Sequence, residues 1–238
     1  MVLKGLSNIM KKNKKELHLS SIVGYENLKM YQPADAFRMT SDALALANFV
    51  NFNFSDKEVL DIGTGLAGIP LVLSSRSGAH ITGVEIEKYV ADVAIQSVLY
   101  NQLTDRITIV NQDIKEYARD CSPNIYDIIV SNPPYYSLDD GYLNDSTIIQ
   151  GARHDVRLQL EDIFIVATKL LKNNGKLLLV FTTDRMIEVI NLYQKYHFSI
   201  KRIQFIHGTI QKSAKTFLIE GAKNGKKGTK VSSPLILQ

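Results

Sequence analysis

The sequence predicts an α/β fold in which a mostly parallel sheet of seven strands carries helices on both faces. Two observations predict it. From residue 58 onward, short apolar runs typical of buried strands alternate with longer segments that have helical periodicity, and the connections between them are short. A glycine-rich turn follows the first of these strands, as it does in nucleotide-binding α/β sheets.

The individual elements follow from the same pattern. Strands are predicted at residues 58–62, 81–85, 107–110, 126–130, 176–181, 200–206 and 216–221. Helices are predicted at residues 66–77, 88–101, 160–172 and 184–196. A further helix is predicted after Thr40-Ser41-Asp42, because such side chains cap helix N-termini. Residues 22–32 alternate loosely and indicate a short strand or hairpin.

Charge divides the chain into basic ends and an acidic middle. Residues 1–30 carry +4 and residues 195–238 carry +8, which leaves −8 for the part between them. We expect a basic, partly flexible extension over residues 1–30, a single domain over 31–222 and a basic tail over 223–238, and the composition of residues 222–230 indicates a flexible segment. Basic ends are typical of solvated tails and also of surfaces that bind a polyanion, and charge alone does not separate the two.

Several classes of protein are disfavoured by what the sequence lacks. A single cysteine, Cys121, excludes a disulfide within the chain, and the five histidines show no metal-ligand spacing, so no metal site is expected. No apolar run is long enough for a membrane span, and the N-terminus lacks an apolar signal core, so we expect a cytoplasmic protein. There is no P-loop, G-x-S-x-G or HExxH motif.

Three groups of residues at the ends of consecutive predicted strands indicate a nucleoside-type cofactor. Gly63, Gly65 and Gly68 fit G-x-G-x-x-G, which turns the chain tightly and lets a ligand approach the backbone. Glu85 ends the next strand, where a carboxylate can accept both ribose hydroxyls, and Asp113 follows the third, where it can accept from an adenine amino group. A nicotinamide enzyme would share the glycines and Glu85.

A second motif follows the fourth strand, at Ser131-Asn132-Pro133-Pro134-Tyr135-Tyr136. Two adjacent prolines remove two N–H donors and stop the strand, which leaves a stiff corner rich in hydrogen-bond acceptors. Such a corner suits a planar group that carries an NH₂, although prolines also end ordinary strands. The long connection that follows, residues 136–159, indicates a lid or a substrate-binding insertion.

These residues resemble those of a known family. Asp-x-Gly-x-Gly at 61–65, Glu85, Asp113 and Asn132-Pro133-Pro134-Tyr135 are similar to the motifs of the Rossmann-like class I S-adenosylmethionine-dependent methyltransferases that methylate amino groups. The resemblance is closest to the bacterial tRNA1(Val) (adenine-N6)-methyltransferases, which modify the adenine just 3′ of the anticodon. It extends from about residue 24 to 227.

The resemblance implies S-adenosylmethionine as cofactor and tRNA as partner, and it implies roles for individual residues. Asp61, Gly63 and Gly65 would hold the methionine end, Glu85 the ribose and Asp113 the adenine of the cofactor. Asn132 and the Pro133 carbonyl would accept from the exocyclic NH₂ of the target adenine, and Tyr135 would stack on that base. The matching stretches before the domain core add Phe37 and Asp42 as cofactor-site candidates.

Basic side chains supply the candidates for RNA contact. They are Lys11, Lys12, Lys14, Lys15, Arg153, His154, Lys212, Lys215, Lys226 and Lys227. No membrane or metal partner is expected, and the sequence leaves the oligomeric state open.

Four alternatives remain at this point. A glutamine-N5 protein methyltransferase uses the same corner, because a carboxamide NH₂ resembles an adenine amino group, and a guanine-N2 rRNA methyltransferase is related. A non-catalytic RNA-binding protein that keeps the fold and a nicotinamide oxidoreductase belong to different functional classes.

Overall fold

The computed structural model describes residues 17–33, 39–134 and 158–237, and it gives eleven strands and six α-helices in these ranges. The strands are β1 (Leu17–Ile22), β2 (Tyr25–Pro33), β3 (Glu58–Ile62), β4 (His80–Glu85), β5 (Ile107–Asn111), β6 (Tyr126–Ser131), β7 (Leu171–Thr182), β8 (Phe198–His207), β9 (Thr216–Lys223), β10 (Lys230–Val231) and β11 (Leu235–Ile236). The helices are α1 (Ser41–Phe49), α2 (Gly68–Arg76), α3 (Lys88–Tyr100), α4 (Ile114–Asp120), α5 (Leu160–Leu170) and α6 (Met186–Lys195).

The central sheet has the strand order β10-β8-β9-β7-β6-β3-β4-β5, and β11 also pairs with β8. Strand β9 runs antiparallel to both neighbours, and the other pairings in this sheet are parallel. From β3 the chain winds outward to β5 and then returns to place β6 on the other side of β3. The strand order therefore reverses between β3 and β6, which is where sheets of this type bind ligands.

Side chains alternate along each strand between two hydrophobic cores. Val59 and Val130 point to the core formed with α1, α2, α3 and the β1–β2 hairpin. Leu60 and Ile129 point to the opposite core, formed with α4, α5 and α6. Near-continuous apolar strands are required here because both faces are covered. The predicted parallel sheet with helices on both faces is confirmed.

The N-terminal hairpin packs on α3. The backbone N–H groups of Lys29 and Tyr31 donate to the Asn101 and Ser97 side chains, each at 3.0 Å. The hairpin confirms the element predicted at residues 22–32 and extends across the domain boundary predicted at residue 30.

The C-terminal segment differs from its prediction. Residues 222–230 were expected to be a flexible tail, but Lys223 ends β9, and residues 230–231 and 235–236 pair with β8 as β10 and β11. The side chains of Ser199 and Lys201 donate to the Gly225 and Lys226 carbonyls. The prediction failed because the partners of this polar segment lie on β8, about 25 residues earlier.

The sequence pattern also missed α4, a helix of 7 residues capped by Asp113. Within the described ranges, no helix has both the length and the apolar character that crossing a membrane requires. No cluster of three or more His, Cys, Asp or Glu side chains in the same ranges is arranged to hold a metal ion.

Candidate active site

The ends of β3, β4, β5 and β6 lie side by side and form one edge of the sheet, here called the carboxyl edge. The opposite edge, where these four strands begin, is called the amino edge. The glycine turn follows β3 at the carboxyl edge, and its backbone is tied to β4 because the Gly63 and Thr64 N–H groups donate to the Val84 carbonyl at 2.9 and 3.1 Å.

The glycine turn exposes its backbone to an open space. Gly63 and Gly65 have φ of 70° and 56°, a left-handed conformation that side chains disfavour. A Cβ at either position would meet no atom within 4 Å, so nothing in the described part of the chain fills the space beside these residues. A ligand can therefore approach the backbone here.

Asp61 lies at the base of this turn and is fully buried, with a relative exposure of 0%. The Thr64 hydroxyl donates to its Oδ2 at 2.7 Å, while its Oδ1 is buried and has no hydrogen-bond partner among the described residues. Burial raises the pKa of Asp61 to about 7, the Thr64 hydrogen bond opposes the rise, and the charge of Glu85 adds to it. A donor, above all a cationic one, would satisfy Oδ1.

Glu85 connects the end of β4 to the glycine turn. Its Oε2 accepts from the Gly65 N–H and its Oε1 from the Glu87 N–H, both at 2.9 Å. Burial raises its pKa, and the backbone hydrogen bonds oppose that rise. Each carboxylate oxygen retains acceptor capacity, so Glu85 is held in place and can still accept from a pair of ligand hydroxyls.

Two glycines around the turn make room for protein side chains. A Cβ on Gly83, which pairs with Asp61 across the sheet, would lie 2.7 Å from the Thr64 hydroxyl oxygen. A Cβ on Gly68 would lie 2.8 Å from the Met39 sulfur. The third glycine of the sequence motif therefore accommodates Met39, a reason that the spacing of the motif does not reveal.

Asp113 lies beyond β5 as the N-cap of α4, where its Oδ1 accepts from the Lys115 N–H at 2.7 Å. The neighbouring Asn111 amide donates to the Glu85 and Ile86 carbonyls at 2.9 and 2.8 Å. Asp113 thus lies on the side of the site beyond Glu85, and its contact with the cofactor adenine stays a prediction.

The proline corner follows β6 and adjoins the glycine turn. Ser131 pairs with Ile62, and its hydroxyl donates to the Ile62 carbonyl at 2.8 Å. The Asn132 amide nitrogen lies 3.5 Å from the Thr40 hydroxyl, which also accepts from the Ala43 N–H at the start of α1. Pro133 is buried. The corner is therefore fixed between the strand-order reversal and the N-terminus of α1.

Other predicted residues occupy both edges of the sheet. Asp42, in the first turn of α1, accepts from the Thr216 hydroxyl at 3.1 Å at the start of β9. Lys212 and Lys215 lie in the loop between β8 and β9 at the carboxyl edge, whereas Lys226 and Lys227 follow β9 at the amino edge. The predictions that lie outside the described residues concern Phe37, Tyr135, Arg153, His154, Lys11, Lys12, Lys14 and Lys15, and most of the loop 136–159.

Sequence reasoning missed three residues of this site. Thr64 orients Asp61, Thr40 contacts Asn132, and Gly83 leaves room for Thr64. Thr64 lies inside the glycine motif, and Thr40 was predicted only as a helix cap. Both residues could therefore be noticed in the sequence, but their contacts with Asp61 and Asn132 could not be predicted from it. Gly83 gave no signal because its role depends on a neighbouring strand.

The fold and the site together define a class I methyltransferase. A buried acceptor without a partner among the described residues, an open glycine backbone and a fixed Glu85 lie next to a corner rich in acceptors, which fits a cofactor with an amine and a ribose. The sequence model of the family described as "Methyltransferase small domain" matches residues 39–205.

Relatives specify the family further. A tRNA1(Val) (adenine(37)-N6)-methyltransferase from Bacteroides thetaiotaomicron is 31% identical over 175 residues, 73% of this chain and 71% of the relative. One of the same name from Trichodesmium erythraeum is 30% identical over 68% of this chain and 67% of the relative. The chain belongs to the tRNA1(Val) (adenine(37)-N6)-methyltransferase family, and it is an S-adenosylmethionine-dependent methyltransferase.

Solved structures show the same fold at low sequence identity. A predicted O-methyltransferase from Agrobacterium tumefaciens superimposes with a TM-score of 0.64 at 20% identity, and the match covers 82% of this chain and 86% of the other.

Proposed function

We propose that this protein transfers the methyl group of S-adenosylmethionine to the exocyclic N6 of an adenine in tRNA, the adenine adjacent to the anticodon of valine tRNA. The observation that carries the proposal is the junction of two half-sites where the strand order reverses. The acceptors Asp61 and Glu85 lie on one side, and the Asn132-Pro133 corner is joined to them by the hydrogen bond from Ser131 to Ile62. The names of the relatives support tRNA as the substrate.

The cofactor would be held by three contacts. Asp61 Oδ1 would accept from the amine of the methionine moiety, and the open backbone at Gly63 and Gly65 would lie against that moiety. Glu85 would accept from the ribose hydroxyls, and Asp113 would receive the adenine amino group. When bound, S-adenosylmethionine supplies a methyl group activated by a positively charged sulfur.

The amino group of the target adenine would be held by the proline corner. The Asn132 amide nitrogen donates to the Thr40 hydroxyl at 3.5 Å, which holds the amide beside the start of α1, and the amide oxygen would accept one N–H of the target. The Pro133 carbonyl would accept the other. Two accepted hydrogen bonds place the nitrogen and increase its electron density, so positioning and electrostatics replace a strong base.

RNA would approach across the carboxyl edge. Lys212 and Lys215 are exposed in the loop between β8 and β9 at that edge, where they would contact phosphates near the target base. The target base would leave its stack to reach Asn132. Because its proposed substrate is tRNA, we expect the protein to act in the cytoplasm.

The experiment is to incubate the protein with bulk tRNA and labelled S-adenosylmethionine, and to identify the modified nucleoside and its position by mass spectrometry. We expect N6-methyladenosine next to the anticodon of valine tRNA. Parallel incubations replace the tRNA by rRNA or by a protein extract. Label in guanine N2 of the rRNA or in a glutamine of a protein, with none in the tRNA, would contradict the proposal. A thermal shift with S-adenosylhomocysteine but not with NAD is the expected result of the accompanying binding test.

A further inference from the structure

A second concave surface lies at the amino edge, far from the site described above. It is a cavity of about 730 Å³ between the end of α6, the start of β8 and the segment after β9. Gln194, His197, Asn224, Lys227 and Thr229 contribute polar side chains to its lining. We call it the tail groove, because five residues of the segment 224–229, all except Lys226, line one wall.

The wall is attached to the sheet along its length. The Asn224 N–H donates to the His197 carbonyl at 2.9 Å, the Ser199 hydroxyl to the Gly225 carbonyl at 2.6 Å, and the Thr229 hydroxyl to the Ile200 carbonyl at 2.9 Å. The Lys201 ammonium donates to the Lys226 carbonyl. Hydrogen bonds to the start of β8 therefore fix the position of the segment that carries the basic residues of the groove.

The charge of the groove has one sign. None of the described residues that line it is acidic, and Lys227 contributes an ammonium group. Lys226 and Lys230 are exposed beside it, and within the described part of the chain neither they nor Lys227 forms an ion pair. The neighbouring Lys195, in contrast, is neutralised by Glu161. Uncompensated lysines around a concave polar surface favour an anionic ligand.

The groove and the proline corner are at opposite ends of the sheet. Strand β8 begins in the groove at Phe198 and ends at His207, next to the loop that carries Lys212. Ten residues of extended chain span about 33 Å. A ligand that touched both places would need to be a long polyanion.

We infer that the tail groove binds the phosphodiester backbone of the tRNA at a point remote from the methylated adenine. The inference rests on the proposed function. Lys226 and Lys227 would contact phosphates, with Gln194 and Asn224 as additional donors, while the target base occupies the carboxyl edge. From the sequence, these two lysines were predicted to contact RNA together with Lys212 and Lys215. In the structure, β8 and β9 separate the two pairs.

The test compares full-length valine tRNA with an isolated anticodon stem-loop, using the Lys226→Gln/Lys227→Gln variant. We expect the Kd for full-length tRNA to rise about 3- to 10-fold near physiological salt and the slope of log K against log salt to become shallower by about 1 to 2. Affinity for the stem-loop should change less than about 2-fold, because it is too short to reach the groove. Binding of S-adenosylhomocysteine should not change.

A matched pair of single variants isolates the position of the charge. Lys227→Gln removes a lysine from the groove, and Lys57→Gln removes an exposed lysine at the same edge, before β3, which is four strands from β8. Only Lys227→Gln should weaken full-length tRNA binding. Equal effects of the two variants, an equal loss for the stem-loop, or an unchanged Kd for full-length tRNA would each overturn the inference. Methylation of the stem-loop by the unaltered protein tests the proposed function separately.

Discussion

Acidic side chains at the two edges of the sheet differ in how completely they are hydrogen-bonded. At the amino edge, Asp127 accepts from the Lys57 and Glu58 N–H groups at 2.9 and 3.0 Å and from the Lys172 ammonium at 2.8 Å. Burial raises the pKa of this carboxyl group, but these donors outweigh burial and the net pKa is lowered. Its neighbour Asp56 accepts from the Asn53 N–H and the Lys176 ammonium.

At the carboxyl edge, Asp61 is more deeply buried and has fewer partners. One hydroxyl satisfies Oδ2, Oδ1 has no partner among the described residues, and no cation of the described part of the chain pairs with it. A buried carboxylate short of donors destabilises the folded protein. We infer from this difference that the fully satisfied acids support the fold, and we propose that the incompletely satisfied Asp61 binds a ligand.

The largest expected effect at the carboxyl edge comes from Asn132→Ala. This change removes an acceptor from the amino group of the target, and we expect the turnover number to fall about 100- to 1000-fold, the range for losing one preorganised polar contact in an active site. Affinity for S-adenosylhomocysteine should stay within about 2-fold. Single-turnover methylation and calorimetric titration measure the two.

Asn48→Ala is the matched control, because Asn48 is an exposed asparagine near the end of α1 whose side chain, among the described hydrogen bonds, only accepts from the Tyr25 hydroxyl. It should retain full turnover. Full activity of Asn132→Ala would show that the corner does not grip the amino group.

At the amino edge, Asp56→Ala should affect stability and not function. Asp56 and Lys176 have side-chain exposures of 8% and 14%, so removing the acid leaves a largely buried ammonium group with only the Asn51 carbonyl. We expect the free energy of unfolding to fall by about 2–4 kcal/mol. Urea denaturation measures it, and cofactor affinity should be unchanged.

Asp92→Ala serves as the control for this pair. Asp92 pairs with Lys88, whose side chain is 75% exposed, and such a pair contributes at most about 0.5 kcal/mol. A similar loss in both variants would remove the distinction between buried and exposed pairs.

Asp61→Asn tests how much the buried, incompletely hydrogen-bonded carboxyl group of Asp61 destabilises the fold. The measurement is the pH dependence of the free energy of unfolding. The folded pKa of about 7 lies above the ordinary aspartate pKa of 3.8, so the folded protein binds the proton more tightly than the unfolded chain. The contribution of Asp61 is therefore least unfavourable below about pH 4, and stability falls as pH rises from about 4 to 7 and then levels. Asp61→Asn should flatten this fall.

At pH 8 we expect the ligand-free Asp61→Asn variant to be about 1–2 kcal/mol more stable than the unaltered protein, because the buried charge is gone and only an amide remains to be satisfied. Its affinity for S-adenosylhomocysteine should fall about tenfold, since a neutral amide no longer pairs with the amine. Urea denaturation at pH 5 and pH 8, with and without this ligand, gives both quantities. If the variant is less stable than the unaltered protein at pH 8, the buried Asp61 carboxylate does not destabilise the fold.

The same contrast shows what the sequence could predict. The places of Glu85, Gly63 and Asn132 at the ends of adjacent strands could be predicted, because buried strands, glycine turns and proline corners are local signals. Gly83 and the pairing of residues 230–236 with β8 were not found, because their contacts join positions far apart in the chain. The lysine pairs before and after β9, Lys212 with Lys215 and Lys226 with Lys227, were grouped together, yet the strand between them carries them to opposite edges. Helix α4 was missed because 7 residues give little periodicity.

The smallest effect is expected from Thr64→Val, which keeps the shape of a buried side chain and removes the hydroxyl that orients Asp61. Losing this hydrogen bond removes an interaction that lowers the pKa of Asp61, so the carboxyl group should titrate at higher pH than before. We expect about 3- to 10-fold weaker binding of S-adenosylhomocysteine near neutral pH, with the difference shrinking at higher pH. Thr82→Val is the matched control. Thr82 is buried on the adjacent strand β4, and its side chain forms a hydrogen bond with Tyr126 and not with Asp61. If both variants lose the same affinity with the same pH profile, Thr64 only fills space; a pH-dependent loss confined to Thr64→Val identifies it as the residue that prepares Asp61 for the ligand.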